Sequence, residues 1–169
     1  MTIITETPRL ILRHINPKLD AQAMYELNAD PLIMQNTGDA PFESVAAAQK
    51  FFEGYKDYEK YGFGRWAVML KATNEVMGWC GLKQNPEFID LGYRLIGRYR
   101  GKGYATEAAK ASLDYGFNQL EMNEIIAKAK KENIASINVM KKIGMPFWKA
   151  EKYNGFDTVF YRSFNPTQR

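Results

Sequence analysis

The chain between Arg98 and Thr106 reads RYRGKGYAT, with three cations and two glycines in its first six residues. Glycine lets the backbone approach a ligand with no Cβ in the way, and like charges in a short turn repel unless an anion lies between them. A long helical pattern follows, and the first turn of a helix leaves N–H groups unpaired at its positive end. We therefore predict a loop that binds phosphate or diphosphate.

This loop does not match the two commonest phosphate-binding motifs. Lys102 is followed by Gly103 rather than by Ser or Thr, which argues against a P-loop nucleotidase, and Thr106 stands where a dinucleotide-binding motif has its third glycine. A plain surface turn with solvated arginines is the alternative interpretation. The three cations, the preceding strand pattern and the long following helix favour the anion site.

The elements around the loop predict a mixed α+β fold. We predict strands at residues 7–13, 66–71, 76–82, 89–96, 125–130, 147–153 and 157–164, helices at 18–27, 44–61, 101–120 and 133–143, and a loop at 31–41. Small residues repeat at helical spacing from Ala105 to Gly116, so this helix should approach a sheet closely. The order predicts a mostly antiparallel sheet with one right-handed parallel βαβ crossover, helices on both faces, and a single domain over residues 1–169.

Composition excludes several other classes. The chain has 169 residues, is 46% hydrophobic, and contains one cysteine and one histidine, so neither a disulfide framework nor a Cys/His metal site is expected. We predict no metal, no membrane segment and no secretory signal, and hence a cytoplasmic protein. A net charge of +4 favours an anionic partner without choosing among nucleic acid, an acidic protein and a phosphorylated cofactor.

Four motifs occur in the order found in one enzyme family. They are TPRLILR at residues 7–13, LGYRL at 91–95, GKGYATEA at 101–108, and NIAS at 133–136 followed by KIGM at 142–145. Together they resemble the RimJ/RimL-like branch of the GNAT (Gcn5-related) N-acetyltransferases, over nearly the whole chain. The resemblance implies the GNAT acyl-CoA N-acyltransferase fold, and acetyl-CoA as a co-substrate with no metal.

The resemblance also implies where the cofactor lies. Backbone amides of the loop would hold the pyrophosphate, and the preceding strand would bulge, splay from its parallel neighbour and pair with the pantetheine arm. Asn133 and Ser136 would contact the pantetheine and its sulfur end, although both also suit a purely structural helix start. The implied cofactor-binding residues are Arg94, Leu95, Ile96, Arg98, Arg100, Gly101, Lys102, Gly103, Tyr104, Ala105, Thr106, Asn133 and Ser136.

Acetyl transfer to an amine needs a base, because an alkylammonium with a pKa of about 10 must first lose a proton. Asp90 matches the strand position that supplies a glutamate base in histone-acetylating relatives, and Glu87 is the second candidate. An N–H near Leu95 would stabilise the thioester oxygen.

The departing thiolate needs a proton in turn. The position that holds a tyrosine acid in many relatives is Met140, which cannot donate one. Ser136 is the implied substitute, and Tyr93 and Tyr104 are further candidates without positional support. Cys80 could suggest a covalent acyl-enzyme, but we interpret it as a core residue.

We therefore predict an acetyl-CoA-dependent N-acetyltransferase that acts by direct attack in a ternary complex. The acceptor is a primary amine: a protein N-terminal α-amine, a polyamine or a small amino compound. The alternative is a non-catalytic acyl-CoA sensor, motivated by Met140. A nucleic-acid partner is a third hypothesis, resting on lysines such as Lys128 and Lys130, and the absence of a recognised motif argues against it. The oligomeric state, including a homodimer, stays open.

Overall fold

The alternating segments form one eight-stranded sheet in the computed structural model, which describes residues 1–168. Its strands are β1 (Ile3–Glu6), β2 (Leu10–Arg13), β3 (Arg65–Leu70), β4 (Glu75–Gln84), β5 (Ile89–Leu95), β6 (Glu124–Lys130), β7 (Phe147–Tyr153) and β8 (Phe156–Phe164). Its helices are α1 (Pro17–Asn28), α2 (Pro31–Thr37), α3 (Val45–Glu53), α4 (Asp57–Tyr61), α5 (Tyr104–Asn118) and α6 (Ile134–Lys142), with a 3₁₀ turn at Gly97–Tyr99.

The sheet order is β1-β2-β3-β4-β5-β6-β8-β7. Every neighbouring pair is antiparallel except β5 and β6, which are parallel and joined by α5. A parallel pair needs such a crossover because both strands must begin at the same edge of the sheet. The predicted fold class is confirmed.

Helices cover both faces of the sheet around this parallel pair. On one face Gly116 of α5 packs so tightly that an added Cβ would lie 2.6 Å from Ile125 Cδ1, which explains the stripe of small residues. On the other face the Lys130 ammonium donates to Gln35 O of α2 at 2.6 Å, and Arg94 Nη1 donates to Asn28 Oδ1 of α1 at 3.4 Å. The sheet therefore separates an α5–α6 face from an α1–α2 face.

Two helix predictions were wrong because one helix N-cap and one helix C-cap were not recognised in the sequence. Residues 31–41 contain the helix α2 rather than only a loop: Pro31 occupies its first turn, where a missing N–H costs nothing, and Asp30 caps it by accepting from Leu32 N at 2.9 Å. The single helix predicted at 44–61 is two helices, since α3 ends at Gly54, whose N–H bonds back to Lys50 O and Phe51 O at 3.2 Å each.

Two element starts also differ from the prediction. The opening strand at 7–13 is β2 alone, and the preceding strand β1 was missed. The long helix starts at Tyr104 rather than Gly101, since Gly101 and Gly103 adopt positive φ values of 75° and 82° that a helix excludes. These two glycines therefore belong to the loop.

Within residues 1–168, no helix is both long and apolar enough to cross a bilayer. The same residues include no cluster of three or more His, Cys, Asp or Glu side chains that could hold a metal ion.

Candidate active site

The loop before α5 presents a row of free backbone donors. Gly103 caps α5 without any side-chain hydrogen bond, and the first bond of the helix runs from Glu107 N to Gly103 O at 3.0 Å. In the part of the chain that the structure describes, the amides from Gly101 to Thr106 donate to no protein acceptor. An added Cβ on Gly101 would meet nothing within 4 Å, so there is open space beside these amides.

Arg9, just before β2, holds this loop in place. Its Nη1 donates to Lys102 O at 3.0 Å, and its guanidinium lies 4.4 Å from the centre of the Tyr104 ring. Glu107 of α5 orients the arginine by accepting from its Nε at 2.7 Å. A residue 93 positions before Lys102 thus holds the loop conformation. Arg9 belongs to the motif at 7–13, but that motif did not predict this contact.

The strands β5 and β6 separate just below the loop. Their only pairing among the described residues is Asp90 with Ile126, so β5 beyond Leu91 has no paired residue on that side. Gly78 of β4 is the residue opposite Leu95 of β5, and the next hydrogen bond between these strands runs from Ile96 N to Met77 O at 2.8 Å. The peptide groups of Leu95 therefore point into the gap, away from β4.

Two details of the gap differ from what the family resemblance implied. The amide of Ile96 is already used by Met77 and is not free, and Leu95 O accepts from Arg100 Nε at 3.0 Å. The bulge lies in the neighbouring strand: β5 pairs with β4 in continuous register, whereas β4 shifts against β3 at Met77–Gly78. Gly78 is required there, because an added Cβ would lie 2.0 Å from Arg94 O.

A cavity of about 860 Å³ extends from the loop through this gap to the α1–α2 face. That volume is in the range of small-molecule sites. The predicted site residues on its wall are Asp90, Arg94, Leu95, Arg100, Gly101, Gly103, Tyr104, Ala105, Thr106, Asn133 and Ser136. Three others are not on the wall: Ile96 is buried, Arg98 pairs with Glu26, and Lys102 is exposed.

Asp90 lies in the cavity wall where β5 and β6 meet, and cations from β3 and β6 contact it. Arg65 Nη2 of β3 is 2.7 Å from Oδ2, and Lys128 Nζ of β6 is 3.5 Å from Oδ1. The Asp90 side chain is only 7% exposed, so the carboxylate depends on these partners. Glu87, the second candidate base, is exposed and lies outside the cavity wall.

Ser136 lies in the first turn of α6 and lines the cavity. Its N–H donates to Asn133 Oδ1 at 3.2 Å, so Asn133 caps α6 as predicted, and the Nδ2 donors of the cap remain free among the described residues. Tyr93 of β5 donates its hydroxyl to Ser136 O at 2.7 Å, and the same hydroxyl lies 3.0 Å from Ser136 Oγ. Burial raises the pKa of Tyr93, so its phenol stays protonated.

The sequence of the chain matches one family over most of its length. The family model described as an acetyltransferase (GNAT) domain covers residues 9–146. The chain belongs to the GNAT acetyltransferase family. The predicted family and the N-acetyltransferase class are therefore confirmed.

Individual relatives agree with the GNAT assignment. The chain is 33% identical to the uncharacterized N-acetyltransferase p20 of Bacillus licheniformis over 141 residues, which are 81% of this chain and 79% of that protein. The crystal structure of a GNAT-family acetyltransferase from Bacillus anthracis superposes with a TM-score of 0.82 at 28% identity, covering 98% of this chain and 99% of the other.

A more distant neighbour shares the fold and carries the cofactor. The ribosomal L7/L12 α-N-protein acetyltransferase RimL, solved in complex with coenzyme A, superposes with a TM-score of 0.77 at 19% identity, over 96% of this chain and 97% of RimL. At this identity the likeness shows the fold alone.

Several residues of this GNAT site were not anticipated from the sequence. Arg65 lies 4.7 Å from the centre of the Trp79 ring, and neither residue was predicted. The predicted Arg94 lies over the same ring at 5.1 Å, and its side chain pairs with Asp39. Nothing local marks Arg65 or Trp79, because their roles arise only when β3, β4 and β5 come together in the sheet. Lys128 was noted in the sequence only as surface charge, whereas the structure places it on the cavity wall.

Proposed function

We propose that the protein transfers the acetyl group of acetyl-CoA to a primary amine, by direct attack within a ternary complex. The observation that carries this proposal is the row of free amides from Gly101 to Thr106 at the start of α5, opening into the gap beside β5. The free amides supply hydrogen-bond donors for a diphosphate, and the gap supplies a channel for the extended pantetheine arm.

The residues present fit the cofactor. Beside the free amides, the guanidinium of Arg100 lines the cavity, where it pairs with Asp30 at 3.0 Å and donates from Nε to Leu95 O at 3.0 Å. The hydroxyl of Thr106 lies on the same wall. We assign the pyrophosphate to these groups, while a contribution from the exposed Lys102 and from Arg98 stays a prediction.

The pantetheine arm would follow the open edge of β5. The Leu95 N–H points into the gap and would polarise the thioester oxygen, which is the role predicted for this position. Asn133 would donate from Nδ2 to an amide of the arm. Acetyl-CoA supplies an activated acyl carbon, and these groups hold that carbon at the opening towards the α1–α2 face.

The acceptor ammonium first loses one proton and becomes a neutral amine. Its nitrogen then forms a bond to the acyl carbon while the carbon–sulfur bond breaks, a second proton leaves the nitrogen, and one proton reaches the sulfur. Asp90 stays the proposed acceptor of the first proton, directly or through water, and must then give up part of its contact with Arg65 or Lys128. The same cations lower the pKa of an ammonium beside them, because like charges disfavour the protonated form. Ser136, backed by Tyr93, is the proposed donor to the sulfur.

The test is cofactor binding followed by turnover. Coenzyme A affinity, measured by calorimetry, should fall at least about tenfold in Gly101→Val, because the side chain would occupy the space beside the amides. Gly144→Val is the matched control. Gly144 also has a positive φ, of 85°, and an added Cβ there would meet nothing within 4 Å, yet Gly144 follows α6 and lies away from the loop.

Turnover is measured as thiol release from acetyl-CoA across a panel of amines. Release with at least one amine, lost in Gly101→Val and kept in Gly144→Val, supports the proposal. Tight coenzyme A binding without release from any amine would contradict it and would favour the acyl-CoA sensor instead.

A further inference from the structure

The cavity wall on the α1–α2 face carries more positive than negative charge. Arg65, Lys128 and Asp90 form one group, in which a single carboxylate faces two cations. Arg94 is balanced by Asp39. Lys130 has no carboxylate within ion-pair distance among the described residues, and its ammonium contacts the Gln35 carbonyl instead.

Neutral groups contact both lysines, in addition to the Asp90 carboxylate at Lys128. Lys130 Nζ lies 3.7 Å from the centre of the Phe156 ring, and Lys128 Nζ lies 5.3 Å from that of Tyr153, both at the β7–β8 hairpin. A carbonyl and a ring face satisfy only part of an ammonium, which has three donors. Each lysine therefore keeps donors for a ligand.

The remaining acid on the wall does not balance this charge. Glu132 follows β6, is exposed to solvent, and forms no ion pair within residues 1–168. Arg100 lies at the other end of the cavity, beside the loop, where the phosphates of the cofactor would use it. The excess charge on Lys128 and Lys130 is thus on the side where the amine must enter.

We infer that the acceptor is a primary amine that also carries a carboxylate, and that Arg65, Lys128 and Lys130 select it. This inference rests on the proposed acetyl transfer and names the substrate class of the same site. The carboxylate compensates the unbalanced cations, while the amine lies near Asp90 and the thioester. A polyamine would instead bring a second positive charge against the lysines, and like charges in a partly buried site are costly.

The experiment compares acceptors of matched shape and different charge. 4-Aminobutanoate, 4-aminobutanamide and putrescine share one carbon chain and end in a negative, a neutral and a positive group. The tripeptides Ala-Glu-Ala, Ala-Gln-Ala and Ala-Lys-Ala, amidated at the C-terminus, test the same chemistry in a peptide. We expect kcat/KM to fall from negative to neutral to positive, by about tenfold or more at each step.

Variants locate the selection on the wall. Lys130→Gln should raise the KM for the negatively charged acceptor about fivefold, while the KM for the neutral one stays within about twofold. Lys141→Gln, on the exposed side of α6, removes the same charge away from the cavity and should change neither.

The outcomes separate this inference from the proposed function. The series that turns over, free amino acids or peptides, identifies the source of the carboxylate. Equal rates within both series, or a preference for putrescine or the lysine peptide, would overturn the inference while leaving acetyl transfer intact. The inference would also fail if Lys130→Gln weakened coenzyme A binding and left the KM of the acceptor unchanged, because the Lys130 charge would then bind the cofactor. No thiol release from any amine counts against the proposed function itself.

Discussion

The hydroxyl of Tyr93 on β5 lies between the two oxygens of Ser136 on α6, 2.7 Å from the carbonyl oxygen and 3.0 Å from Oγ. This contact bridges the cavity beside the gap where β5 and β6 separate. Met140, one turn further along α6, is 1% exposed and belongs to the core. Met140 cannot supply the phenol that the resemblance implied at this position, and the phenol of Tyr93 reaches Ser136, one turn earlier on α6.

Tyr93→Phe should lower kcat about tenfold with coenzyme A affinity unchanged, and Ser136→Ala should lower kcat about a hundredfold. The reason is that Ser136 would give the proton, whereas Tyr93 orients it and remains protonated because its pKa is raised by burial. The pH profile of Tyr93→Phe between about pH 6 and pH 10 should therefore keep the shape of the wild-type profile at lower amplitude.

Steady-state kinetics over that pH range and calorimetry with coenzyme A make the comparison. A larger kcat loss in Tyr93→Phe than in Ser136→Ala would reverse the roles and make the phenol the donor. Unchanged kcat in both variants would remove proton donation from this pair altogether.

Arg13 and Asp20 form a buried ion pair that fastens α1 to β2. Two hydrogen bonds of 2.7 and 2.8 Å join them, and their side chains are 4% and 1% exposed. Asp20→Asn would leave the Arg13 charge buried without its counter-ion, so we expect a loss of about 3–5 kcal/mol in the free energy of unfolding. Urea unfolding followed by circular dichroism measures it.

The control for this pair is the exposed Lys56–Glu59 contact, whose side chains are 63% and 74% exposed. Glu59→Gln should leave the urea midpoint nearly unchanged, because solvent screens such a pair. If Asp20→Asn proved as mild as Glu59→Gln, the pair would not be needed to hold α1 against the sheet.

The sequence predicted the parts of the site that one continuous segment encodes. The loop at 98–106, the helix behind it and the cap at Asn133 follow from glycines, spacing and capping residues within a few positions. The contacts of Asp90 could not be predicted in this way, since Arg65 is 25 residues before it and Lys128 is 38 residues after it. Only the pairing of the four strands β3, β4, β5 and β6 brings these charges together, and no local pattern marks that pairing.

Cys80 is the chain's one cysteine, and the structure confirms that it is a core residue. It is fully buried, its Sγ lies 3.3 Å from Ser112 Oγ, and burial raises its pKa to about 12. The native thiol should therefore not react with a thiol reagent such as DTNB at pH 8, and should react fully once the protein is unfolded in urea. Rapid modification of the folded protein, or loss of acetyl transfer in Cys80→Ala with cofactor affinity intact, would contradict this assignment.

Glu107 should make the loop region less stable in acid. Burial acts to raise the pKa of its carboxyl, but the hydrogen bonds from Thr7 and Arg9 outweigh burial and hold the pKa below its ordinary value of 4.5. A carboxylate with a lowered pKa in the folded state stabilises the protein above that ordinary value, and this contribution is lost as the pH falls through the folded-state pKa. Between pH 6 and pH 3, the urea midpoint of the wild type should thus fall more steeply than that of Glu107→Gln.

Glu53→Gln provides the comparison, because Glu53 is also a helix glutamate but accepts only an exposed contact from Gln49. Its midpoint should fall with pH as steeply as that of the wild type. Because Glu107 orients the arginine that holds Lys102 O, Glu107→Gln should also weaken coenzyme A binding at pH 7, and Glu53→Gln should not. Equal slopes for wild type and Glu107→Gln, together with equal cofactor affinities, would show that Arg9 holds the loop without help from this carboxylate.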